Sequence, residues 1–129
     1  MRKLVLLFVF LCTISSDRTL ALSADDLATR DGEIAFGQAW LKSMRSRLGE
    51  RTDPFCIDLL ETWLTRLKNQ FDLGAMPMTA LCLNSQEFNA FAAPGGIVGV
   101  NRGIYLDLTT ESEVMAVLAH ELAHLAQRH

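Results

Sequence analysis

The sequence has no cluster of lysine and arginine: its 12 basic residues are scattered among 15 acidic ones. No surface of the sign that phosphates or anionic headgroups require can be read from it. Nucleic-acid binding is therefore not supported, and membrane contact is expected to be transient or peripheral. Nor is there an apolar run long enough to span a bilayer, since Leu4 to Ile14 is 11 residues where a spanning helix needs about 20. Cysteine is scarce, and none has the spacing of a metal knuckle. Cys12 follows Phe10-Leu11, without the small residues of a lipoprotein site, which argues against a lipid anchor.

The apolar run has another use. Met1-Arg2-Lys3 is a short basic head, and Ala21-Leu22-Ser23 offers small residues two apart for cleavage. Residues 1–23 read as a secretory signal peptide. A periplasmic or secreted mature chain over 24–129 is expected, the alternative being an uncleaved inner-membrane anchor. Removal of Arg2, Lys3, Asp17 and Arg18 moves the formal charge from −3 to −5. Cys56 and Cys82 remain, either as a disulfide suited to an oxidising compartment or as two buried thiols.

Histidine is rare, and all 3 fall in the last ten residues, His120-Glu121-Leu122-Ala123-His124-Leu125-Ala126-Gln127-Arg128-His129. A helix turns about 100° per residue, so His120 and His124 lie about 40° apart on successive turns and two ring nitrogens can meet one metal ion. Glu121 flanks the pair, pointing away from the core, where a general base for a metal-activated water belongs. Met115, Leu118, Leu122 and Leu125 form a core-facing stripe on the other side. The bland alternative is a helix with two incidental surface histidines. It predicts no such glutamate between them, and H-E-x-x-H is the pattern of helical zinc sites. A purely structural zinc fits poorly, because such sites are closed by four ligands and are rich in cysteine.

Upstream, Ser23-Ala24-Asp25-Asp26 opens a helical turn that Asp31-Gly32 breaks, and Glu33 to Leu48 forms an amphipathic helix stopped by Gly49. Asp53-Pro54 caps a second helix with Leu60, Trp63, Leu64, Leu67 and Phe71 on its core face. Trp40 and Trp63 read as core anchors. After Gly74 the period changes to two. Met78 to Leu83 is a strand, Asn84-Ser85 a turn and Phe88 to Ala92 a second extended piece. Ile97 to Val100 and Ile104 to Leu106 read as strands joined across Asn101-Arg102-Gly103, with Gly103 at positive φ. The expected class is α+β, with N-terminal helices, a small antiparallel sheet and an active-site helix. That last helix starts near Glu111 behind the capping box Thr110-Glu111-Ser112-Glu113. Glu113 is assigned to capping and His129 to packing.

A catalytic zinc needs three protein ligands and an open position. The third could be Glu111, Asp107, another upstream carboxylate or a residue beyond His129. The chain stops in mid-helix with no capping signal, which reads as an N-terminal fragment.

Phe88-Asn89-Ala90-Phe91-Ala92-Ala93-Pro94-Gly95-Gly96, Val98-Gly99-Val100-Asn101-Arg102-Gly103, Glu111-x-Glu113 and Leu118 through His129 together resemble the zinc metallopeptidases of the CAAX-prenyl endopeptidase and HtpX type, their secreted bacterial members most. The likeness is specific over residues 88–129 and weaker over 33–83, where Gly37-Gln38 contributes. It implies a zincin-like (gluzincin) domain, here truncated after the H-E-x-x-H helix. It further implies Zn2+ held by His120 and His124, Glu121 as general base, and a third ligand, a glutamate on a later helix, beyond His129. The expected function is a zinc metalloendopeptidase acting on polypeptides, outer-membrane or other envelope proteins among them, in protein quality control, with the fragment by itself inactive. The alternative is a chaperone-like envelope module with little or no proteolysis. A substrate strand is expected to pair with a sheet edge at Gly95 to Val100, unless those glycines only shape a turn.

Overall fold

The computed structural model describes residue 25 and residues 28–127; the signal peptide expected over 1–23 and the packing of His129 lie outside them. Helix α1 (Arg30–Met44) starts earlier than Glu33 because Thr29 caps it, its Oγ1 accepting from Gly32 N at 3.0 Å. Asp31 and Glu33 then sit at the positive end of the helix dipole, so Asp31-Gly32 lies inside the helix and does not break it. The helix stops at Met44, not Leu48, and turns lead to Gly49 at φ +62°. Helix α2 (Pro54–Lys68) starts as expected but ends before Phe71, which lies half-buried in the turn after it. Asp53 Oδ1 accepts from Phe55 N at 3.1 Å, and Leu60, Trp63, Leu64 and Leu67 are buried.

Four strands follow expectation only in part: β1 (Glu50–Arg51), β2 (Thr79–Leu83), β3 (Ala90–Ala93) and β4 (Ile97–Asn101). They lie in the order β1-β2-β4-β3, with β2 and β4 parallel and the other pairs antiparallel. The sheet is thus mixed, not antiparallel. Alternation assigns each residue to a face but leaves the neighbouring strand open; here β4 turns back from β3 through Pro94-Gly95-Gly96 and slots between β3 and β2. Residues 84–89 form a longer link than the expected two-residue turn.

Ile104-Tyr105-Leu106 is not a strand. It lies in the short helix α3 (Arg102–Asp107). Gly103 N donates to Ser85 O at 3.1 Å, and a Cβ there would overlap the carbonyls of Gln86 and Glu87. Glycine serves close backbone approach here, not a positive φ, and three apolar residues alone cannot distinguish strand from helix.

Helix α1 covers one sheet face through Leu41, against Leu81, Leu83, Ala93 and Ile97. Helix α2 and the last helix, α4 (Glu111–Gln127), cover the other through Leu60, Leu64, Leu118 and Leu122, against Val98 and Val100. Each such fully buried leucine contributes about 1.5–3 kcal/mol relative to exposure. No helix among the described residues is long and apolar enough to cross a membrane.

A disulfide joins Cys56, in the first turn of α2, to the buried Cys82 of β2, closing a separation of 26 residues. Loop entropy gives such a link about 3 kcal/mol. Cys56→Ser is expected to lower unfolding stability by that amount in urea titrations, and a midpoint unchanged from the parent would show that the link contributes nothing.

Candidate active site

The site is built on α4 and the edge of β3. The start of α4 is fixed by the capping box: Thr109 N and Thr110 N both donate to Glu113 Oε2 at 3.0 Å, and Glu113 N donates to Thr110 Oγ1 at 3.3 Å. These bonds, those from the Thr109 and Thr110 amides foremost, hold the Glu113 carboxyl below its usual value of 4.5. A lowered folded pKa stabilises above the unfolded value, and that contribution disappears as pH falls through the lowered one. Melting temperatures of the parent and of Glu113→Gln should therefore diverge above pH 4.5 and converge below it; parallel curves across that window would refute the assignment.

Glu111 Oε1 accepts from Arg66 Nη1 at 2.8 Å. Among the described residues no three of histidine, cysteine, aspartate and glutamate come together as a metal would require. Neither Glu111 nor Asp107 joins the histidines, and the upstream candidates for a third ligand fall away among these residues.

Two turns further on, the imidazoles of His120 and His124 meet, Nε2 to Nε2 at 3.1 Å, with ring centroids 4.7 Å apart and planes at 87°. His120 is exposed and His124 half-buried. Two nitrogens bound at about 2.0–2.1 Å to one tetrahedral zinc are about 3.3 Å apart. The observed pair is within a few tenths of an ångström of that spacing, so the donors present fit the ion. Alternatively, one ring N–H donates to the other ring.

Glu121 is 3% exposed, which corrects the expectation that it flanks the histidines away from the core. Angles on a helical wheel do not reveal what covers each flank, and here β3 covers it. Burial pushes the Glu121 carboxyl up; the charge of His120 and a hydrogen bond from the Ala92 backbone pull it down. Ala92 was not legible as a site residue. Its signal is the ladder: Asn101 N donates to Asn89 O at 3.0 Å, so residues 89, 91 and 93 face β4, while Ala90 and Ala92 turn their N–H and C=O groups outward.

Strand β4 lies inside the sheet, so Gly95 to Val100 is not a free edge for substrate. Gly95 and Gly96 take positive φ of 85° and 79°, and a Cβ on Gly99 would enter the Phe91 ring. These glycines shape a turn and admit an aromatic ring. Of the two tryptophans, Trp63 is in the core, whereas Trp40 is half-buried, edge-on to Phe91 with centroids 6.1 Å apart.

Residues 59–129 match Peptidase family M48. The chain is similar to the putative beta-barrel assembly-enhancing protease of Vibrio cholerae, 32% identical over 106 residues, which cover 82% of this chain and 22% of the relative. It is similar to the beta-barrel assembly-enhancing protease of Yersinia pestis at 31% over 110 residues, 85% of this chain and 23% of that one. Metalloprotease LoiP of Escherichia coli is 32% identical over 68 residues, 51% of this chain and 27% of that protein. The chain thus spans less than a quarter of the length of the first two of these relatives.

Proposed function

Because the chain belongs to peptidase family M48, we propose that residues 24–129 form the N-terminal part of a zinc metalloendopeptidase domain that acts on polypeptides of the cell envelope. The observation that carries this reading is the pair of Nε2 atoms 3.1 Å apart with a buried carboxylate one residue from His120. His120 and His124 would hold the ion, and the resemblance implies a glutamate beyond His129 as the third ligand. Zinc, when bound, supplies Lewis-acid polarisation and makes water more acidic. Glu121 accepts the proton of the attacking water and hands it to the departing amine. The Ala92 N–H orients that carboxylate, and its burial under β3 keeps bulk water from competing for the proton.

The names of the Vibrio and Yersinia relatives favour outer-membrane proteins or their assembly factors as substrates. The basic head and apolar run of residues 1–23 favour export to the periplasm. The test is the product of the whole gene. We expect one zinc per chain, loss of casein or peptide hydrolysis on chelation, and recovery with zinc. Loss of a supporting group around a ligand costs 10–100-fold in affinity, so His124→Ala, which removes a ligand itself, should weaken zinc by about 100-fold or more. Hydrolysis that survives both chelation and His124→Ala would sink the reading.

A further inference from the structure

We propose that Trp40 and Phe91 form an apolar side-chain subsite for the polypeptide substrate, on the sheet face opposite the histidines; the inference rests on the peptidase reading and deepens it. Among the described residues β3 has no strand on its outer side. Ala90 is buried, whereas Phe91 and Ala92 are partly open, so an extended chain added at this edge registers at Ala92, whose carbonyl faces outward. The Ala92 amide lies beside the Glu121 carboxylate. The peptide residue that donates to the Ala92 carbonyl is therefore the one presented to the catalytic carboxylate.

Side chains directly opposite each other in a ladder share a face, whichever way the added strand runs. The peptide residue opposite Ala92 points to the α4 side. Its neighbour opposite Phe91 points to the α1 side, with Cβ atoms about 4.5–5.5 Å apart. Gly99 has no side chain, so the Phe91 ring folds back over β4. Trp40 packs edge-on against it, its ring at 79° to that of Phe91. Two half-buried aromatic rings beside an open edge select a large apolar side chain.

The experiment uses the whole gene product and two ten-residue peptides that differ only by Phe or Ala next to the cleaved bond. Hydrophobic pockets discriminate by about tenfold or more, so wild type should favour the Phe peptide by that factor in kcat/KM. The ratio should fall to about 2 or less in Trp40→Ala and to an intermediate value in Trp40→Leu, which keeps apolar packing on α1. In the Glu121→Gln background the Phe peptide should shift tryptophan emission, and the shift should vanish in Trp40→Leu, which removes the reporting ring at the subsite. An unchanged Phe/Ala ratio in the folded Trp40→Leu variant, or no emission shift with the Phe peptide, overturns the subsite. An emission shift from Trp40 without hydrolysis by any form supports the subsite and overturns the peptidase reading instead.

Discussion

Glu121→Gln in the whole gene product is expected to lower kcat for peptide hydrolysis by about 10³-fold, the middle of the range for a positioned general base, while zinc content and fold are kept. Glutamine has the shape of glutamate and can still accept from Ala92 N–H through its amide oxygen, so the junction between α4 and β3 survives. What is lost is a lone pair basic enough to take a proton. The variant removes an ionisable group that is 3% exposed, so its melting temperature should stay level or rise, since burying a carboxylate carries a desolvation cost. Wild-type kcat in Glu121→Gln with zinc bound would show that another group is the base. If activity is lost but the effect of the gene on the envelope persists in cells, the chaperone-like alternative gains and proteolysis is not the main role.

Gly96→Ala is expected to destabilise the fold by about 3 kcal/mol or more, and Gly74→Ala by about 1 kcal/mol. Both glycines have positive φ, 79° and 55°, so both substitutions incur backbone strain. A Cβ on Gly74 meets nothing within 4 Å, whereas one on Gly96 would overlap the Pro77 carbonyl oxygen and lie 2.9 Å from Met76 Cγ. The difference between the variants isolates the overlap, and denaturant titrations measure it directly. Domains of this size are stable by only about 5–15 kcal/mol, so Gly96→Ala should leave a marginal protein. Equal midpoints for the two variants would mean that the 76–77 segment yields easily and is not a fixed wall of the β3–β4 turn.

The long helices were the most legible part of the fold, because their signals are local, whereas the six-residue α3 read as a strand. Asp53-Pro54 and Thr110-Glu113 cap where they were expected to, and the spacing of Leu60, Trp63, Leu64 and Leu67 found the face that is buried. The sheet was less legible because its order depends on contacts distant in sequence. The pattern of β2 and β4 is the same whether they pair in parallel or antiparallel. The two-residue β1 carries no periodicity at all. At the site, the four-residue step was enough to bring His120 and His124 together. The burial of Glu121 was not legible, since it depends on β3 lying across that flank of α4, and neither strand order nor the Ala92 N–H can be read from a helical wheel.

The turn after β3 is clasped by α1. Gly37 packs against the Pro94 carbonyl with no room for a side chain, and Gly95 N donates to Glu33 Oε1 across a separation of 62 residues. The edge strand that orients Glu121 is thus held by a helix far upstream that contributes no group to the proton transfer. In kinetic terms, this is a costly loop to close, and contacts of long sequence separation form slowly. The histidine pair needs only one turn of helix, whereas the orientation of the proton acceptor waits for the first helix to dock on the sheet. A nick in the chain between α1 and α2 would let that helix depart and silence the site, leaving every group that touches the substrate's reacting bond intact.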